Sequence, residues 1–330
     1  MNHDVPQEIL HILREKNHFL LFGHSDPDGD CVTSQLVAAS FLRRLGKTAR
    51  CIAEKPFTRR DILRFFPFFE LPTGETDDPE KTAVVAVDCS TRDRIAGYSE
   101  ALSSLPLVMI DHHSSGSPFG TTRYVDPQAP STTVLIYRIM IALGETPSPE
   151  EAELLLFGLC TDTGFFRHLE SGSGEVLQMA GELTNLGASL KKIHSLMYGD
   201  RTLGSRVLLG KILSRLEPLG DHRVLFTFMT REDIKEFGEE AKDSDTLYSL
   251  LQGVEQVVMV VLAREESDGT RTVGIRTNHT LDAGELASRF GGGGHQRAAG
   301  FSSTKTIGAL KDDLEKAVFN MLIPGTKNLP

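Results

Sequence analysis

The chain has 330 residues, long enough for two separately cored domains, with 40% hydrophobic and 24% charged residues. Its net charge of −10 argues against a protein that grips long nucleic acid by the phosphates, although bound metal can invert the field around a small anionic substrate. The cysteines at 31, 51, 89 and 160 form no CxxC pair, residues 1–17 are polar and amphipathic rather than a secretion signal, and no apolar run reaches bilayer length. These features lead us to expect a reduced, cytoplasmic protein with no zinc knuckle and no membrane partner.

Residues 6–15 place Ile9, Leu10, Ile12 and Leu13 at helical spacing. Residues 19–22 read as a short buried strand that breaks into a Pro/Gly loop carrying His24, Asp28 and Asp30. Imidazole and carboxylate together suit a hard-to-borderline divalent ion such as Mn²⁺. Asp, Pro and Gly are equally ordinary turn residues, so this loop alone leaves the choice open. Residues 32–45 read as a helix stopped by Gly46, and 51–53 as the next strand, with 48–50 extending it. The aromatic segment 59–69, broken by Pro67, reads as a lid or brace on the sheet rather than a partner surface. Residues 83–87 form a β-branched strand ending in Asp88, and 107–110 another ending in Asp111, His112 and His113. Between them, 91–105 can form a crossover helix. This alternation predicts a parallel α/β sheet, in which functional groups collect at the carboxyl ends of the strands.

Residues 131–143 read as a helix capped by Ser131 or Thr132, and 149–160 as an apolar helix running into Thr161, Asp162, Thr163 and Gly164. Amphipathic helices are expected at 175–186 and 190–198, and a connecting helix at 201–216 that contains or follows the domain boundary. The character then changes. Strands at 224–228, 256–263 and 271–277, the last two joined by an Asp268-Gly269 turn, alternate with helices at 243–252, 281–290 and 305–322. This predicts a smaller α+β domain.

Five stretches now combine: His24-x-x-Pro27-Asp28-Gly29-Asp30, Asp88, Asp111-His112-His113, Asp162-Thr163-Gly164, and Gly291-Gly292-Gly293-Gly294-His295 followed by Ala298-Ala299-Gly300. In order and spacing the first four resemble the motifs of the DHH phosphoesterase family, and the last resembles the signature of the associated DHHA1 domain. The match is closest to the short two-domain oligoribonuclease/3′-phosphoadenosine 5′-phosphate phosphatase type. The resemblance implies an α/β fold: a parallel-sheet DHH domain over 1–195, a connecting helix or linker over 196–218, and an α+β DHHA1 domain over 219–330, with the active-site cleft between the domains.

It also implies two divalent ions, Mn²⁺ in preference to Mg²⁺, with His24 and Asp28 holding one and Asp30, His112 and Asp162 the other. Asp88 would bridge them, and a water between the metals would attack the phosphoester. Two metals roughly 3.5–4 Å apart suit that chemistry because they stabilise both the attacking and the leaving oxygen. The family places His113 beside the scissile phosphate as anion ligand or proton donor, with support of a metal ligand as the alternative. Asp111 is expected to orient a neighbouring imidazole rather than bind metal.

Consecutive glycines let backbone N–H groups approach an anion, which makes Gly292, Gly293, Gly294 and His295 candidate substrate contacts; a loop without ligand is the plain alternative. Arg276 stands where resembling DHHA1 domains place a substrate-binding arginine, able to pair with phosphate, against the plainer reading of a surface salt bridge. Cys31, Cys89 and Cys160 read as small buried residues, and His3, His11, His168, His194, His222 and His279 as surface or structural. Thr33 stands where the family usually has Gly, and a β-branched residue there could narrow the room beside the metals.

The implied function is hydrolysis of short oligoribonucleotides, dinucleotides and 3′-phosphoadenosine 5′-phosphate. The alternatives are a cyclic-dinucleotide phosphodiesterase, a manganese inorganic pyrophosphatase, or a nucleotide-binding regulator without catalysis. The expected partner is a short RNA or nucleotide, not a long duplex, and a homodimer is left open.

Overall fold

The computed structural model describes residues 5–322 apart from 75, 77, 118, 200, 221, 279 and 280, so His3 and His279 lie outside the described residues. The chain divides after Gly199 into two compact units. Among the described residues no helix is long and apolar enough to cross a membrane.

In the first unit α1 (Gln7–Glu15) buries Ile9, Leu10 and Leu13, and β1 (His18–Phe22) follows it into the core. Asp28 caps α2 (Gly29–Arg44) by accepting a hydrogen bond from the Cys31 amide at 3.1 Å. Then come β2 (Thr48–Ile52), β3 (Thr82–Val87), β4 (Leu107–Asp111) and β5 (Thr122–Val125). They form a five-stranded parallel sheet in the order β2-β1-β3-β4-β5. Every residue of β3 is buried, as expected for a parallel strand covered on both faces. The period of two sorts the side chains. Phe19, Leu21, Val85 and Val87 join the large core, and Leu20, Phe22, Val84 and Ala86 a thinner one on the other face.

Helices α3 (Thr132–Ala142), α4 (Pro149–Asp162), α5 (Gly174–Asn185) and α6 (Leu190–Tyr198) complete the unit. α4 opens on a capping box between Ser148 and Glu151. α2 packs closely against α4 where a glycine of one helix receives a side chain of the other. A Cβ on Gly29 would fall 2.4 Å from Thr161 Cγ2, and one on Gly158 2.6 Å from Thr33 Oγ1.

Two expectations change here. No crossover helix spans 91–105; short 3₁₀ turns at Arg92–Arg94 and Glu100–Leu102 stand in its place. Gly97 separates them at φ 74° and lies so close to Pro72 that a Cβ would meet its ring at 2.8 Å. The strand β5 was not expected because only Tyr124 of its four residues is buried, so no apolar run marks this sheet edge. The aromatic segment does brace the sheet side. Phe57 packs edge-on to Phe66 and Phe69, and Phe65 edge-on to Phe157.

The second unit holds α7 (Leu203–Ser214), β6 (Glu217–Leu219), β7 (Val224–Met229), α8 (Arg231–Phe237), α9 (Ser244–Gln252), β8 (Met259–Glu265), β9 (Arg271–Thr277), α10 (Ala283–Ser288), β10 (Gly293–Gly294), β11 (Ala298–Ser303) and α11 (Ile307–Leu322). Its six-stranded sheet runs β10-β11-β9-β8-β7-β6; β7 and β8 are parallel and the other pairs antiparallel. The turn at Asp268-Gly269 joins β8 to β9, with the Asp268 carboxylate accepting from the Thr270 amide at 2.9 Å. β8 alternates between two cores: Met259, Val261 and Ala263 face one, Val260 and Leu262 the other.

Candidate metal centre

The ends of β1, β3 and β4 and the first turns of α2 and α3 converge at one end of the first sheet. The loop leaving β1 is held by backbone bonds from Ser25 to Arg94 and from Ala96 to Gly23. It delivers His24, 6% exposed, with Nε2 3.5 Å from Asp88 Oδ2. Asp88 itself sits just past β3 at φ 54°, a left-handed conformation that costs a non-glycine residue on the order of 1 kcal/mol or more. Such strain persists only where surrounding contacts enforce it. Here Thr132 Oγ1 donates to Asp88 Oδ1 at 3.1 Å, and His112 Nε2 and His113 Nδ1 lie 3.5 and 3.7 Å from the same oxygen.

The two adjacent histidines are fixed differently. The Ala129 carbonyl lies 3.2 Å from His112 Nδ1 and takes its N–H, leaving Nε2 to face Asp162 at 3.1 Å. His113 Nδ1 lies 2.7 Å from Asp111 Oδ1, which leaves its Nε2 free to act. Asp111 is 1% exposed, and its other oxygen has no partner among the described residues.

Asp30 is fully buried, and its carboxylate accepts from the amides of Thr132 at 2.6 Å and Thr133 at 2.9 Å. It therefore caps α3. Ser131, one of the two residues expected to do so, occupies the N-cap position, but its hydroxyl pairs with Thr133 Oγ1 at 2.8 Å rather than with a helix amide. Asp162 ends α4, and the turn beyond it is tightly wound. Gly164, Phe165 and Phe166 all take left-handed backbone angles, and Thr163 Oγ1 donates to the Leu159 carbonyl at 2.6 Å.

Ligand atoms come within 4.8 Å of one another in three groups: His24 with Cys31 and Asp88; Asp88 with His112 and His113; and Asp30 with His112 and Asp162. The structure thus brings together six of the side chains singled out in the sequence. Asp28 joins none of the three groups, and its contact is the α2 cap. Cys31, read in the sequence as a small buried residue, is buried and lies beside the centre. Burial, with Asp88 beside it, pushes the Cys31 thiol well above its ordinary pKa, so it stands as a neutral group. Thr33 packs beside Asp30: both side chains would meet a Cβ on Gly158. Its hydroxyl donates to the Gly29 carbonyl at 2.8 Å and packs where Gly158 leaves space.

The titration behaviour shows what this crowding costs. Burial raises Asp30 well above the carboxylate range, and the charges of Asp162 and Asp88 raise it further. Burial, then Asp88, raises Asp28. Asp162 is pushed up to about 6 by burial, with Asp28 and Asp88 adding to the effect and His112 opposing it. Burial pulls His112 down, but its bond to Asp162 and the charges of Asp30 and Asp88 outweigh this and lift it to about 10. Burial likewise opposes the charge on Asp88, but His24 and His112 hold it below its ordinary value. Buried carboxylates gathered with too little positive charge bind either protons or cations. His24 Nδ1 and Asp111 Oδ2 are buried without partners among the described residues, and the oxygen and imidazole donors are those of a divalent-metal site. The residues present fit such ions.

The remaining candidates lie in the second unit. The glycine run is in part a packed hairpin, although Gly293 and Gly294 are exposed. Gly293 and Gly294 form β10, paired with Gly300 and Ala299, and the amides of Gly292 and His295 donate to the carbonyls of Ala287 and Ala298. A Cβ on Gly292 would fall 2.2 Å from the Gly300 carbonyl oxygen, so close packing on β11 is what excludes a side chain there. His295 is exposed at the hairpin tip. Arg276 lies on β9 with its guanidinium 4.9 Å from the Tyr248 ring centre; among the described residues it makes no ion pair.

A family model described as the DHH family, N-terminal domain, matches residues 18–159, and a DHHA1 domain model matches residues 221–321. The bifunctional oligoribonuclease and PAP phosphatase NrnA of Thermus thermophilus is 32% identical over 282 residues, covering 84% of this chain and 81% of that protein. The Bacillus subtilis protein of the same name is 26% identical over 298 residues, covering 89% and 92%. Among solved structures, an exopolyphosphatase-related protein from Bacteroides fragilis shares the fold, with a TM-score of 0.82 at 23% identity over 94% of each chain. Motifs, topology and relatives agree: the chain belongs to the DHH family, in the branch that carries a C-terminal DHHA1 domain.

Proposed function

We propose that this protein is a divalent-metal-dependent phosphoesterase that hydrolyses short oligoribonucleotides, dinucleotides and 3′-phosphoadenosine 5′-phosphate. The observation that carries this reading is the convergence of Asp30, Asp88, His112 and Asp162 with His24 and His113 at one sheet end. The names of the two NrnA relatives support the substrate class, and neither favours cyclic dinucleotides or pyrophosphate.

In this reading His24 and Asp28 would hold one ion and Asp30, His112 and Asp162 a second, with Asp88 available to both; Mn²⁺ suits this mixture of imidazole and carboxylate. Bound ions supply charge neutralisation at the phosphoryl oxygens and a water of lowered pKa. The protein's own part is orientation and proton supply. Ala129 fixes the tautomer of His112. Asp111 raises the pKa of His113 through their hydrogen bond, so that its Nε2 carries a proton to give to the phosphate or leaving oxygen. Arg276, which among the described residues makes no ion pair and donates to the Ile275 carbonyl at 3.0 Å, is assigned to a substrate phosphate. The loop ending in His295 is assigned to the substrate through that exposed imidazole rather than through the glycine amides.

The test is turnover of dinucleotides, longer RNA, 3′-phosphoadenosine 5′-phosphate, cyclic di-AMP and pyrophosphate after chelation and re-addition of Mn²⁺, Mg²⁺ or no metal. The first and third substrates should be hydrolysed only with metal, best with Mn²⁺, and Asp88→Ala and His112→Ala should abolish turnover while the circular dichroism stays unchanged. Wild-type turnover in either variant would overturn the assignment, and preference for pyrophosphate would overturn the substrate class.

A further inference from the structure

Beside the metal centre, within the first unit, lies a cavity of about 280 Å³ lined by residues of the β1 and β2 exits and the loop after β2. None of the roles assigned above uses it. Its size sits near the lower end of small-molecule pockets, roughly 300–1,000 Å³, and so suits one ring system rather than a nucleotide chain. Its lining has apolar stretches, from Ile52, Phe57 and Ala96, and His24 is shared with the metal centre.

One residue of the lining does not belong in an apolar wall. Gln35 is 2% exposed, and its Oε1 has no hydrogen-bond partner among the described residues. Its Nε2 makes two long contacts with Cys31, 3.4 Å to the carbonyl oxygen and 3.8 Å to Sγ. That carbonyl accepts and cannot donate, so it fixes which end of the amide is the oxygen. Gly23 holds the amide in place, since a Cβ there would fall 2.6 Å from Nε2. A buried, unpaired amide oxygen costs about 1–3 kcal/mol unless something donates to it. Leucine would fill the same volume without that cost. The position therefore has a use for an amide.

We infer that this cavity is a nucleobase subsite and that the Gln35 amide is its hydrogen-bonding contact, a specificity residue for the reaction proposed above, on which this inference rests. A nucleotide whose phosphate lies at the metal centre carries its base one sugar away. A base is a flat, largely apolar ring whose edge presents donors and acceptors. A glutamine amide, with one carbonyl and one NH₂ in a plane, matches such an edge, as in its paired contacts to adenine.

The test uses the full chain with Mn²⁺ and compares calorimetric binding of adenosine 5′-monophosphate with that of ribose 5-phosphate, which lacks the base. Wild type should bind the nucleotide at least about tenfold more tightly. Gln35→Leu should remove most of that preference and leave the ribose 5-phosphate affinity unchanged. Ala96→Leu, which puts bulk into the cavity, should remove it by a different route and decides the matter if Gln35→Leu does not fold. Equal wild-type affinities, or a preference that survives in a folded variant, would overturn the subsite. The two readings fail separately: base preference that depends on Gln35 without hydrolysis sinks the esterase and keeps the pocket, whereas hydrolysis without base preference does the reverse.

Discussion

His112 and His113 are sequence neighbours whose rings lie 4.8 Å apart, yet their hydrogen bonds prepare them for different work. A backbone carbonyl holds Nδ1 of one, so that its Nε2, which faces Asp162, is the atom a cation would take from its proton; a buried carboxylate holds Nδ1 of the other, which favours its protonated form. Asp111→Asn isolates the second arrangement, because the amide keeps the size and an acceptor oxygen but loses the charge. Turnover should fall about 10- to 100-fold, the range found when a partner behind a functional imidazole is removed. Because Asp111 raises the His113 pKa, its loss lowers it, and the alkaline limb of the turnover profile should move to lower pH. Calorimetric Mn²⁺ stoichiometry should stay unchanged. Loss of bound metal in this variant would mean that Asp111 supports the ligands rather than the proton donor.

At the scale of elements, the contact between α2 and α4 sets the position of Asp30. Gly158 is the residue that permits it: a Cβ there would fall 2.5 Å from Thr133 Cγ2, 2.6 Å from Thr33 Oγ1 and 3.0 Å from Asp30 Oδ1. Gly158→Ala should therefore destabilise the chain by about 1–3 kcal/mol in urea unfolding, despite the higher helix propensity of alanine. A stabilised variant would show that the helices separate without cost. The strands around these helices were legible in part because strands buried on both faces are continuous apolar runs, as in β3 and β4. The edge strand β5 buries one side chain in four and left no such mark. Residues 91–105 have enough apolar positions for a helix, but Gly97 fits against Pro72 at a positive φ that a helix cannot use. The same limit applies at the centre. The motif order brought the ligands to notice, but Asp30 capping α3 joins residues 102 positions apart and is visible only in the folded chain. The glycine run reads alike for an anion loop and for tight packing; Gly292 and Gly294 pack closely on β11, whereas Gly293 has open space around it.

For the whole molecule, the buried acids couple folding to pH and to metal in opposite directions. Asp162 is raised from 3.8 to about 6 and His112 from 6.5 to about 10, and Asp28, Asp30 and His113 are raised too. A group whose folded pKa is raised gives stability that is complete below its unfolded value and is lost as pH rises through the folded value. Between pH 5.5 and 7.5 all of these act in the same sense. The lowered Asp88 titrates below that window and contributes nothing to the change. The metal-free chain should therefore melt at a higher temperature at pH 5.5 than at pH 7.5. Saturating Mn²⁺ should reverse the order, because protons on Asp162 and its neighbours compete with the ion and the ion binds only the folded state. At a hundred times its dissociation constant, such an ion adds about 2.7 kcal/mol per site. The chain has no tryptophan, so scanning calorimetry with and without chelator is the suitable readout. A metal-free protein that is less stable at pH 5.5, or an Mn²⁺-loaded one that keeps the metal-free pH trend, would show that the clustered carboxylates are neutralised by something other than a cation.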